Sequence, residues 1–102
     1  MSFLAWPFKD PAELADYDID WSQRLAQPTL TDSIVSSSWV ITSPTTVGEP
    51  VLVINSSSFT TNRTKVWLKS GTLGQTYTLQ NTVTTLNGDT LIESVTLVIR
   101  LK

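Results

Sequence analysis

GTLGQTYTLQNTVTTLNGDTLIESVTLVIRLK, residues 71–102, decides the fold class. Between Thr76 and Leu86 the side chains alternate, with Tyr77, Leu79 and Val83 on one side and Thr76, Thr78, Gln80, Thr82 and Thr84 on the other. A period of two is the mark of a strand with one buried and one wet face. Asn87-Gly88 follows, the pair that best tolerates the positive φ angles of a type I′ hairpin turn. A second alternating run then places Leu91, Val95, Leu97, Ile99 and Leu101 on one face. Two long amphipathic strands make a hairpin whose apolar face needs a cover, and the rest of the chain must supply it. The expected class is all-β, an immunoglobulin-like antiparallel β-sandwich.

Composition agrees and narrows the chemistry. The 102 residues make one domain with one modest core. Serine and threonine are about a quarter of the chain, while only 16% of residues are charged. Threonine is β-branched and suits a solvated pleated face. No cysteine is present, so disulfides contribute nothing, and stability must come from packing, a partner or self-assembly. No histidine is present either, which removes the commonest general base and zinc ligand. A net charge of −2 has the wrong sign for neutralising phosphates, so no nucleic-acid partner is expected. No stretch approaches the roughly 20 apolar residues of a membrane span. MSFLAWPFKD lacks a basic leader and is broken by Pro7, so it is not expected to be a signal peptide.

Walking outward from the hairpin, Thr64–Lys69 alternates, with Val66 and Leu68 opposed to Lys65, Trp67 and Lys69. Val51-Leu52-Val53-Ile54 reads as a short strand buried on both sides, followed by a polar loop over Asn55–Thr61 that has room for a short edge strand at Phe59. Ser33–Thr42 is a strand with Val35, Trp39 and Ile41 on one face and Ile34 and Val40 on the other. Proline, threonine and glycine make Ser43–Pro50 a turn region. Tyr17–Trp21 is the first sandwich strand and Ser22–Thr31 a connection. About seven strands are expected. Residues 1–15 form an extended N-terminal arm and 16–102 the sandwich, with a capped helical turn at Asp10-Pro11-Ala12-Glu13. Tyr77, just after Gly74 at the head of the penultimate strand, is where sandwiches place a tyrosine whose hydroxyl bonds back to the backbone.

Three constellations are candidates for function. Asp16, Asp18 and Asp20 superficially resemble a calcium loop, but Trp21 sits where that loop needs glycine and Gln27 where it needs glutamate. On a strand the three carboxylates share one face, where they guard an edge or meet a basic neighbour, so no metal is expected. Among the aromatics, Trp39 reads as core, whereas Trp67 stands between Lys65 and Lys69 on a polar face. Phe3, Trp6 and Phe8 lie outside the strand framework and read as anchors for a protein contact or for the domain's own sheet. The N-glycosylation patterns at Asn55 and Asn62 are short and carry little weight. The expected interface is therefore Phe3, Trp6, Phe8, Asp16, Asp18, Asp20, Lys65, Trp67 and Lys69. The competing reading is a carbohydrate- or surface-binding module acting through Trp67 and the loop around Asn55–Asn62. No catalytic or cofactor-binding residues are expected.

Trp6-Pro7-Phe8-Lys9-Asp10-Pro11, the block Asp16–Leu25 and the run Asp32–Trp39 resemble a family of small tailed-bacteriophage structural proteins, the fiber-tail adaptor or neck-region proteins. Val66–Leu79, running into Asn81–Gly88, is similar to the end of that family. Its members often carry a second glycine where this chain has Lys69-Ser70-Gly71. The resemblance implies a virion protein made in the bacterial host cytoplasm and present in many copies. It would join portal-proximal neck or tail machinery to fibers or spikes, with no cofactor.

Charge order along the chain fits such a role. Five of the nine carboxylates precede Trp21, with only Lys9 to balance them, while Arg63, Lys65, Lys69, Arg100 and Lys102 come later. A head-to-tail homo-oligomeric ring, acidic face against basic face, is the assembly this asymmetry predicts.

Overall fold

A computed structural model describes residues 4–25, 32–43 and 51–102. Among the described residues, seven strands and one helical turn follow each other as β1 (Leu4–Ala5), β2 (Leu14–Asp20), α1 (Ser22–Leu25), β3 (Ile34–Ser43), β4 (Leu52–Phe59), β5 (Arg63–Ser70), β6 (Thr76–Thr85) and β7 (Thr90–Val98). β2, β5 and β4 form one antiparallel sheet in that order. β7, β6 and β3 form the other, with β1 added in parallel on the outer edge of β7. That is the strand order of the immunoglobulin sandwich, with the two three-stranded sheets standing where its B-E-D and G-F-C strands stand.

The alternation of the opening stretch is realised along its length. Tyr77, Leu79, Val83, Val95, Leu97 and Ile99 are fully buried, and Val66 and Leu68 of β5 face them from the opposite sheet. A second cluster, Ile19, Trp21, Leu25, Ile34 and Val83, fills the other end, and Trp6 and Trp39 pack against both clusters. Thr72 N–H donates to the Tyr77 hydroxyl at 3.1 Å, which closes the tyrosine corner. No helix of the described residues is long and apolar enough to cross a membrane.

Several local expectations are corrected, each for a backbone reason. The hairpin turn is not type I′: Gly88 alone has positive φ, at 93°, and Asn87 does not. Gly88 N–H donates to Thr85 O and Thr85 N–H to Asp89 O. The connection is a tight turn over Leu86-Asn87 closed by a left-handed glycine bulge, the three-residue hairpin loop. In β3 the register with β6 slips between Ile34 and Ser36. The slip turns Val35 outward at 49% exposure and sends Ile34 into the core, the reverse of the simple alternation. β4 runs on through Asn55–Phe59, so the polar loop read there is strand. As an edge strand it leaves Val53 exposed instead of buried on both sides. Leu101, placed with the inward set, is exposed beyond the end of β7.

At Asp10–Glu13 a single turn forms instead of helix. Ala12 N–H donates to Asp10 Oδ1, Asp10 N–H to Glu13 Oε1, and Glu13 N–H to Asp10 O. The helical turn falls at α1, inside the span read as a connection. Its start is held by Ser22 N–H donating to the Asp20 carboxylate at 2.9 Å. The proline-rich turn over 44–50 lies outside the described residues, as do Phe3 and the rest of the 22–31 connection after Leu25.

Candidate docking surface

Trp6 reaches the interior from the arm. Its backbone N–H donates to Thr96 O at 3.0 Å, so the arm is held along β7. Its ring stacks on Tyr17 at 4.8 Å and tilts against Trp39 at 5.7 Å, and its Nε1–H donates to Asp18 O. Burial beneath that ring, with the Glu13 and Asp16 carboxylates nearby, pushes the Tyr17 phenol up to about 12. One residue after exposed Phe8, Lys9 turns fully inward, and its ammonium donates to Asp10 O and Ser70 O at 2.9 and 2.8 Å. Desolvation lowers the Lys9 pKa, and the Glu13 and Asp10 carboxylates oppose that shift. Sequence reading used Lys9 only as a charge, and its role as an interior strut has no periodicity to reveal it. Phe8 stays 40% exposed, with the Arg100 guanidinium 5.3 Å and the Lys102 ammonium 5.9 Å from its ring centre.

The other expected interface residues do come together. Pairing of β2 with β5 sets Asp16 opposite Trp67, Asp18 opposite Lys65 and Asp20 opposite Arg63, all on the outer face of the β2-β5-β4 sheet. Lys65 reaches Asp16 at 3.2 Å, and Arg63 reaches Asp18 and Asp20 at 3.3 and 3.4 Å. The Asp20 carboxyl is held below its usual range, first by Ser22 N–H and the Ser22 hydroxyl and then by Arg63. The complementarity expected to join neighbouring subunits is thus made inside one sheet, because acidic and basic strands that lie far apart in sequence are adjacent in space.

What that ladder leaves over lies at its other end. Leu14, Lys69 and Val53 form one row across β2, β5 and β4, and Asp16, Trp67 and Ser56 the next. Leu14 is 55% exposed and Trp67 is half-buried. Among the described residues Lys69 has no ion pair, and Trp67 has neither a ring partner nor a side-chain hydrogen bond. A free ammonium flanked by two aliphatic side chains, with an aromatic ring in the next row, is a surface that can bind an apolar segment carrying a carboxylate. It has no nucleophile–base pair. Among the described residues no cluster of three metal-ligating side chains occurs.

Sequence reasoning also missed a buried polar network. Trp21 Nε1–H lies 3.1 Å from both Thr64 Oγ1 and Asn81 Oδ1, Thr64 donates to Asn81, and the Asn81 amide donates to Ser37 Oγ and Ser38 O. The signal was present, since Asn81 occupies the inward register between Leu79 and Val83.

A family described as podophage GP4 fiber-tail adaptor protein gp77 matches residues 9–98. No curated protein matches the chain.

Proposed function

Because the chain belongs to the podophage GP4 fiber-tail adaptor family, whose match spans residues 9–98, we propose that it bridges tail and fiber through the outer face of its β2-β5-β4 sheet. The family makes it a virion structural protein that binds other virion proteins, and not an enzyme. In this reading several copies form a ring around the neck or tail. The row Leu14, Lys69 and Val53, with Trp67 in the row beside it, receives an apolar, acidic segment of a neighbouring tail or fiber protein. The single observation carrying it is the unengaged Trp67–Lys69 end of a face whose remaining charged side chains are already ion-paired within the sheet. Tryptophan is among the side chains that carry most of the energy of protein contacts, and the Lys69 ammonium beside it favours a partner with a carboxylate. The loop around Asn55–Asn62 used by the carbohydrate-binding reading shrinks to the turn at Thr60–Asn62, since residues 52–59 are strand.

Phage carrying Trp67→Ala with Lys69→Glu tests this. The expected result is particles depleted of fibers or of the adaptor itself, measured by quantitative mass spectrometry of purified virions. A full complement of both proteins in those particles would place the contact elsewhere.

A further inference from the structure

The two sides of the sandwich, where strand edges lie open, are unlike. On one side β2 carries Asp16, Asp18 and Asp20, and β1 is two residues long and continues into an arm running beside β7. Charges and short strands of this kind stop a sheet edge from pairing with another chain. On the other side lie the edges of β3 and β4, which contain no charged residue and no proline. β4 is flanked on both ends by exposed apolar groups, Val53 at 37% and Phe59 at 44%.

We infer that the β4 edge pairs with the β4 edge of a second copy of this chain, antiparallel about a two-fold axis between Asn55 and Ser56. The bulge in β4 selects that register. Pairing with β5 slips between Ile54 and Ser56, so Leu52 and Ile54 face inward before the slip, and Ser57 and Phe59 face inward after it. Val53 and Ser58 face outward. Opposed residues in an antiparallel pair must face the same side of the sheet. A bulge ordinarily spoils an edge because residues on its two sides change face. In a self-pair both strands carry the same slip at the centre, and the two slips cancel. Leu52 then stands opposite Phe59 of the other copy, Val53 opposite Ser58, and Ile54 opposite Ser57, inward with inward and outward with outward. Phe59 gains the cover it lacks in one copy. The contact is isologous, each residue of a pair meeting the other twice. Neither layer brings like charges together, because β3, next to β4 across the sandwich, is charge-free as well.

This pairing is read from the edges alone and goes beyond the tail role. Its test uses the purified full chain, so the result bears on pairing and not on tail attachment. Sedimentation equilibrium should show a concentration-dependent dimer. Ser56→Lys, which sets two ammonium groups across the axis, should weaken it at least several-fold, while Thr82→Lys on the outer face of the other sheet leaves it unchanged. The absence of native cysteine gives a second reading that does not depend on affinity. Val53→Cys protein mixed with Ser58→Cys protein should form a mixed disulfide on mild oxidation, and neither variant should cross-link by itself. A monomer at every concentration would overturn the inference. So would a dimer indifferent to Ser56→Lys, or cross-linking within either single variant.

Discussion

Two polar arrays cross the strands of this sandwich, one sealed between the sheets and one open to water. Inside, Trp21, Thr64 and Asn81 link β2's end, β5 and β6 in a chain of hydrogen bonds, each of the three side chains at most 1% exposed. Outside, Asp16, Asp18 and Asp20 meet Lys65 and Arg63 across β2 and β5, with every side chain at least 40% exposed. The outer array holds all the charge and the inner one holds none. Burial reverses their importance for folding, because an unmatched polar group in the interior costs its full desolvation while an exposed ion pair is screened. The inner array therefore holds the two sheets in one register, which leaves the outer one free to serve a partner.

The largest effect that distinguishes them is expected for Asn81→Leu. The substitution keeps volume but removes the acceptor for Thr64 and Trp21 and the donor to Ser37 and Ser38. A loss of about 3 kcal/mol in urea unfolding is expected from the groups left unmatched. A loss below 1 kcal/mol, read by the same unfolding curve, would mean that the interior array is not structural and the contrast fails.

Trp6→Ala comes next, since Trp6 docks the arm onto the inner residues Tyr17 and Trp39 from a half-buried position. About 2 kcal/mol should be lost through the missing ring packing. The amides of Lys9 and Arg100, which tie the arm to the end of β7 by bonds to Val98 O and Lys9 O, should exchange faster with solvent while those of β5 stay protected. Uniform acceleration would show that the arm and sandwich unfold together.

Tyr77→Phe removes only the hydroxyl that accepts from Thr72 N–H, and should cost about 1 kcal/mol without altering the fold. It is also the place where sequence and structure agreed most directly. Tyr77 was legible because a glycine turn and a strand head mark the corner locally. Trp39 and the inward set of β6 and β7 as far as Ile99 were legible through their period, and only Leu101 beyond the strand was misplaced. Bulges were not: Val35 and Asn55 each break the alternation without any glycine or proline to announce it, and each reverses the faces that follow. Nor was the ion-pair ladder legible, because the sheet order that sets β2 beside β5 is a tertiary fact. Read along the chain, Asp18 and Arg63 looked like opposite poles available to different subunits, whereas in space they are 3.3 Å apart.

Acid gives a smaller effect, carried by a residue of neither array. Asp32 is nearly buried at the start of β3 and accepts from Ser33 N–H and Asn87 N–H. Burial would raise its carboxyl, but the Thr85 hydroxyl and those two N–H groups outweigh it and hold the pKa below the usual range. A carboxyl whose folded pKa lies below its unfolded value adds stability above the unfolded pKa, and that contribution is lost as pH falls through the folded value. Asp32→Asn should therefore flatten the acid limb of the stability–pH curve below about pH 4. An unchanged limb would assign acid sensitivity to other carboxylates, Asp10, Glu13 and Asp20 among them, whose pKa values are also lowered.

The smallest effect is the one that decides the use of the outer array. Asp18→Asn with Asp20→Asn removes both partners of Arg63. Both carboxylates and the guanidinium are largely solvated, so the urea midpoint should scarcely move at low salt. Any residual shift should vanish in 1 M salt, where the screening length is about 3 Å. The same variant frees Arg63 and takes the ladder beside Trp67, three carboxylates against two cations, from a net charge of −1 to +1. Binding of an acidic partner segment should then tighten or lose specificity while stability stays level. A fall in stability comparable to that of Asn81→Leu would instead make the ladder a structural element, with Trp67 and Lys69 as its frayed end and no docking surface left on that face.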